Sequence, residues 1–131
     1  MVAGEASGDQ HGAELIRFLR PSVSNLEIYG VGGQKMLAQG LRPYYMLDSL
    51  QVHGLVEVLR HLPRLYQILW NLAESIREEK PDALLIFTDP RFFTWLFEIE
   101  DEIRQVCPIL WWHVWDNEPV PEFNNWMYES T

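Results

Sequence analysis

The segment VAGEASGDQHG, residues 2–12, sets a short apolar stretch directly against a glycine-rich turn and the start of a helix. Few conformations satisfy that order. Gly4 and Gly8 permit a tight turn and close backbone approach, Ser7 or Asp9 is placed to cap the helix that follows, and the leading N–H groups of that helix favour an anion. The pattern reads as a strand-to-helix turn that either serves geometry alone or cradles a phosphate. It lacks the GxGxxG spacing of dinucleotide-binding folds and the Gly-Lys-Ser/Thr ending of a P-loop, so neither nucleotide motif is assigned.

Downstream, the hydrophobic period alternates between strand and helix with no internal repeat and no low-complexity linker. This predicts an α/β fold, a Rossmann-like parallel sheet with helices on both faces. The expected elements are a helix His11–Leu19 stopped by Pro21, a strand Leu26–Val31, a short helix Gln34–Gln39 ended by Gly40, and then an irregular stretch. Leu62, Leu65, Leu69, Leu72 and Ile76 form the stripe of a long helix Pro63–Glu79, with Pro63 in its first turn. A buried strand Ala83–Phe87 follows, then a helix striped by Phe92, Leu96, Ile99, Ile103 and Val106 that ends near Gln105, and a last strand Ile109–Trp115. The first strand has about three residues where ~5–6 are usual. Such a shortened central strand is expected to cost stability and to favour self-association into a homo-oligomer through exposed strand edges.

A chain of 131 residues makes one compact unit, residues 1–131, with a real core. Its residues are 47% hydrophobic, yet no apolar run is long enough to span a bilayer, and no signal peptide is read. The lone cysteine, Cys107, rules out an internal disulfide, suits the cytoplasm and is expected to be a buried, inert thiol. A net charge of −9 argues against nucleic acid, which needs clustered Lys and Arg. His11, His53, His61 and His113 show no ligand spacing, so neither a metal nor another cofactor is expected. His113, inside the last strand, reads as a core histidine.

The opening turn continues as GAELIR, then IYGVGGQKMLAQGL from Ile28 and VHGLVEVLRHLPRL from Val52. These strings resemble the amino-terminal domain of lipid-A-disaccharide synthase over about residues 2–82. The resemblance implies an inverting glycosyltransferase of two Rossmann-like domains (GT-B type), joining a diacylglucosamine from a UDP-sugar donor to a glycolipid acceptor, diacylglucosamine 1-phosphate. It also implies a cytoplasmic protein working at the inner-membrane face. Beyond Asp82 the text changes to LIFTDPRFFTWLFEIEDEIRQ and WWHVWDNEPVPEFNNWMYEST, which resembles another group of two-domain glycosyltransferases. Charge changes there too: residues 1–80 carry nine acidic and eight basic side chains, residues 81–131 ten and two. These observations suggest a chimera with a seam near Lys80-Pro81-Asp82, between 1–81 and 82–131.

Ligands of open parallel sheets gather beyond the carboxyl ends of the strands, so the loops after Ala3, Val31, Phe87 and Trp115 are expected to line one crevice. Inverting sugar transfer needs a base for the attacking hydroxyl. Asp89, just past a buried strand, is the first candidate and aligns with the Asp of the family's GIDAP motif; its alternative employment is capping the turn before Pro90 and the next helix. Glu5, matching the glutamate of the family's GEASGD turn, is the second candidate, against a plain solvated acid. Gly4, Ser7, Gly8, Asp9, Gly32, Gly33 and Arg91 are the candidate acceptor- or phosphate-binding residues, with Ser7 and Asp9 weighed more heavily as helix caps.

Leu55, Val56, Leu59, Arg60 and Arg64 combine apolar side chains with cations, a pattern for peripheral membrane or acyl contact, although a leucine stripe at this spacing is more often core. Most of the six tryptophans fall in expected core stripes or strands, with Trp115 near the crevice and able to stack on a sugar. Two functions follow: the acceptor-side half of a glycosyltransferase, inactive without its donor domain, or a non-catalytic chimeric or designed Rossmann-like scaffold.

Overall fold

A computed structural model describes residues 1–46, 55–87 and 94–112; for 55–65 and 94–98 it describes the backbone alone. Strands β1 (Val2–Ala3), β2 (Tyr29–Gly32), β3 (Arg42–Met46), β4 (Leu84–Phe87) and β5 (Ile109–Trp111) alternate with helices α1 (Ala6–Leu19), α2 (Gln34–Ala38), α3 (Leu55–Glu79) and α4 (Thr94–Arg104). The sheet order is β3-β2-β1-β4-β5 and every pairing is parallel. Val2 is the centre of the register, level with Val31 on one side and Ile86 on the other.

Alternation along the strands divides the apolar side chains between two layers. Val2, Val31, Leu84 and Ile86 pack with Leu69, Leu72 and Ile76 of α3 and Ile103 of α4. Ala3 and Phe87 point the other way and pack with Ile16 of α1 and Met36 of α2. A sheet buried on both faces explains why these strands read as continuous apolar runs. Ile16, Met36 and Ile103 are fully buried, each stabilising the fold by roughly 1.5–3 kcal/mol relative to an exposed side chain.

The elements depart from the sequence expectation in four places. Helix α1 begins at Ala6, not His11, with Glu5 extended at its N-cap. Strand β2 starts at Tyr29 rather than Leu26, and the stretch expected to be irregular contains β3, whose edge position leaves Arg42, Pro43 and Tyr44 exposed and removes the alternation a half-buried strand would show. Helix α3 begins at Leu55, which puts Pro63 in its interior rather than its first turn. A proline there forfeits one backbone hydrogen bond and costs about 3 kcal/mol, which burial of the carboxyl half at Ile68, Leu69, Leu72, Ala73 and Ile76 offsets. The end of α3 is well marked: Lys80 takes a left-handed φ of 47°, donates its N–H to the Ile76 carbonyl at 3.0 Å and is followed by Pro81.

Cys107 is buried among core side chains, and burial pushes its thiol pKa up. Trp70 and Trp112 do not join the core; both are about half exposed. No helix among the described residues is long and apolar enough to cross a membrane.

Candidate functional site at the first strand-to-helix turn

Strand β1 leads through α1 to β2 on one side, whereas β4 lies on its other side, so the order of connection reverses between β1 and β4. In doubly wound sheets, ligands bind beyond the carboxyl ends of the strands at such a reversal. Gly4 and Glu5 follow β1 at that end and precede α1. The Gly4 N–H donates to the Phe87 carbonyl at 3.4 Å, tying the turn to the last described residue of β4. The first amides of α1, at Ala6, Ser7 and Gly8, have no backbone acceptor among the described residues, since the helical ladder starts with Asp9 N–H donating to the Glu5 carbonyl at 3.0 Å. Ala6 and Ser7 are exposed, so this end of the helix dipole is open to an anion.

Glu5 is exposed, and its Oε1 accepts the Ser7 hydroxyl at 2.8 Å. Ser7 therefore does not cap α1. Its hydroxyl holds the Glu5 carboxylate over the first turn, and the cap position has no side-chain hydrogen bond.

Gly8 and Asp9 have definite structural work. A Cβ on Gly8 would lie 2.2 Å from the Phe87 carbonyl oxygen, so only glycine lets α1 seat this close to β4. Asp9 is buried and caps a different helix from the one expected. Its Oδ1 accepts the amides of Gly33 (2.7 Å) and Met36 (3.0 Å), and Oδ2 accepts that of Lys35 (3.1 Å), all at the start of α2. Gly33 leaves room for that carboxylate, because a Cβ there would come within 2.6 Å of Oδ2. Gly32 is packed under Leu41 and Met36. The expected phosphate contacts at Gly8, Asp9, Gly32 and Gly33 thus resolve into close packing and a buried cap, a pairing across 24 positions that local sequence does not signal.

Asp89 and Arg91 lie outside the described residues, as do His53, His113 and Trp115; for Leu55, Val56, Leu59, Arg60, His61 and Arg64 only the helical backbone is described. Sequence reasoning passed over an aromatic group beside α1. The Trp112 ring, just past β5, stands 6.0 Å from the His11 ring and 6.3 Å from that of Phe87. With Leu15, Phe18 and Pro21 it lines a groove of about 620 Å³ along the outer flank of α1. Among the described residues no three His, Cys, Asp or Glu side chains converge as metal ligands.

An all-parallel sheet in this order, with a glycine turn at its switch point, defines a Rossmann-like α/β protein, consistent with the amino-terminal domain of a GT-B glycosyltransferase. The chain belongs to the lipid-A-disaccharide synthetase (LpxB) family, whose model matches residues 1–111. Similar curated proteins include the lipid-A-disaccharide synthases of Alkalilimnicola ehrlichii (49% identical) and Hydrogenovibrio crunogenus (46%), each over 92 residues, 70% of this chain and 24% of the relative. That of Burkholderia lata is 38% identical over 120 residues, covering 85% of this chain and 30% of the relative. The chain therefore spans about a quarter of the length of the first two of these relatives. The family match runs through Lys80-Pro81-Asp82, so one family accounts for both sides of the suspected seam and a join at that point is not supported.

Proposed function

We propose that residues 1–131 form one Rossmann-like unit serving as the acceptor-side half of an inverting glycosyltransferase that makes a lipid A disaccharide. The observation that carries this reading is the α1 turn: a glycine-rich helix start with exposed leading amides at the switch point, in a chain of this family. Asp89 is assigned as the base that removes the proton of the attacking acceptor hydroxyl. Glu5 holds or polarises that hydroxyl, while Gly4, the exposed amides at Ala6 and Ser7, and Arg91 favour the acceptor phosphate. The donor is a UDP-sugar and the acceptor a glycolipid. Leu55, Val56, Leu59, Arg60 and Arg64 meet the acyl chains or the cytoplasmic face of the inner membrane. No metal or cofactor enters the scheme.

A complete enzyme is built around this half and its UDP release is followed with both lipid substrates. Asp89→Asn is expected to lower kcat by about 100-fold or more, the usual scale for loss of a general base. Full activity in that variant excludes Asp89 as base. The isolated chain is expected to release no UDP, because groups for the donor diphosphate are expected in a second domain. Turnover by the chain alone overturns that division of labour. If activity appears in neither form, the chain is a non-catalytic scaffold.

A further inference from the structure

Glu5 and Ser7 leave the first turn of α1, whose backbone the rest of the fold holds in place. Gly4 N–H donates to the Phe87 carbonyl at 3.4 Å, a Cβ on Gly8 would lie 2.2 Å from the same oxygen, and the Asp9 carboxylate is bound at the start of α2. The turn is thus fixed against both β4 and α2. Those ties do not reach the Glu5 carboxylate, which ends a long, exposed side chain with several rotamers open to it. A single hydrogen bond does: the Ser7 hydroxyl donates to Glu5 Oε1 at 2.8 Å. Among the described residues no other side chain donates to that carboxylate, so Oε2 is left to accept from a ligand. The one proton of the Ser7 hydroxyl is committed to this bond and to no cap of α1.

We infer that Ser7 is a positioning residue for Glu5: by donating to Oε1 it fixes the carboxylate so that Oε2 accepts from a sugar hydroxyl at the switch point between β1 and β4. The inference rests on the assignment of Glu5 to the acceptor hydroxyl and adds what sets the direction of that carboxylate. An ionised carboxylate only accepts, and a donor on one oxygen leaves the other oxygen and the charge available. A fixed acceptor oxygen holds the hydroxyl in one orientation, whereas a carboxylate turning among rotamers offers many, most of them unproductive. The chemistry asks for a short hydroxyl two positions beyond the acid in a rigid first turn, which Ser7 supplies and threonine keeps. Alanine removes the hydroxyl without disturbing the core, because Ser7 is exposed.

Two measurements test the inference. In the 131-residue chain, three-bond side-chain couplings of Glu5 are expected to report one dominant rotamer in the parent and in Ser7→Thr, and averaging among rotamers in Ser7→Ala. In the complete enzyme built around this half, Ser7→Ala is expected to lower kcat about 5- to 10-fold, the scale of one hydrogen bond, with the KM of the UDP-sugar donor unchanged. Ser7→Thr is expected to recover most of that loss. In a Glu5→Ala background the Ser7→Ala change is expected to cost nothing further, because the group it orients is gone; a serine with a merely structural role lowers both backgrounds alike. Averaged Glu5 couplings in the parent, an unaltered kcat in Ser7→Ala beside an impaired Glu5→Ala, a threonine variant as impaired as alanine, or an equal loss in the Glu5→Ala background each overturn the positioning role alone. Full activity of Glu5→Ala overturns the assignment of Glu5 itself, and the role of Ser7 falls with it.

Discussion

The carboxylate of Asp9, in the first helix, accepts the amide of Gly33 at 2.7 Å, and the same side chain takes the amides of Lys35 and Met36 at the start of the second helix. One buried acid thus locks the loop after β2 to the helix after β1. The loop after β2 is braced through a residue whose own N–H donates to the Glu5 carbonyl at 3.0 Å.

Replacing Asp9 by Ala is expected to cost about 3 kcal/mol, because charge-assisted hydrogen bonds are lost and three amides lose their acceptor. Asn keeps one acceptor oxygen and is expected to cost about half as much. Urea unfolding followed by circular dichroism measures both. A change under ~0.5 kcal/mol for Ala excludes the bracing role.

Gly8→Ala drives a methyl group into the Phe87 carbonyl, and the obstacle is backbone rather than a movable side chain. A loss of about 3 kcal/mol or more is expected, visible as a lowered Tm. Ser7→Ala, one position earlier and exposed, is expected to stay within about 0.5 kcal/mol of the parent.

Glu5→Gln is expected to leave stability within about 0.5 kcal/mol, since the side chain is exposed and the amide oxygen still accepts the Ser7 hydroxyl. Any fall in the activity of a complete enzyme carrying this change then reports on chemistry and not on folding. Equal thermal denaturation curves for the two forms check the premise.

Burial raises the Cys107 thiol above its ordinary value of 9.0, and the phenols of Tyr29 and Tyr44 also lie above their ordinary 10.0, again chiefly through desolvation. In each case the unfolded chain ionises first. Stability from these groups is therefore complete below about pH 9 and is lost as pH rises towards the folded-state values. Denaturation midpoints across pH 7.5–10.5, about the range of ordinary thiol and phenol ionisation, are expected to fall at the alkaline end, less steeply for Cys107→Ala. A flat profile contradicts the buried, protonated thiol.

Met36→Ala removes the side chain against which Gly32 and Gly12 pack, in a fully buried position. The expected cost is about 2–5 kcal/mol, read from chemical denaturation. An effect below ~1 kcal/mol means that α2 does not contribute to the core as its burial indicates.

Much of the architecture was legible from period and punctuation. The apolar run at Leu84–Phe87 had to be a strand buried on both faces, and the Gly33 and Gly40 boundaries framed α2 closely. The family was readable from consecutive residues in the first eighty, because such strings survive without any three-dimensional information. Strand β3 was hidden, since an edge strand exposed along Arg42–Tyr44 has no buried face to impose alternation. Pro63 misled for a related reason: locally a proline starts a helix, yet α3 carries it in the interior because the packed carboxyl half stabilises the whole.

The amino-acid sequence by itself determined the alternation of strand and helix, the two-sided burial of the sheet and the family, since these depend on neighbours a few positions apart. Only the tertiary structure decided what the residues of the opening turn do. Ser7 turns back to Glu5, Gly8 makes room for a carbonyl on a distant strand, and Asp9 caps a helix 24 positions away from it. Close approach and hydrogen-bond satisfaction are settled between segments that meet only after the sheet has formed. A capping acid and a ligand-binding acid look alike until that meeting is known.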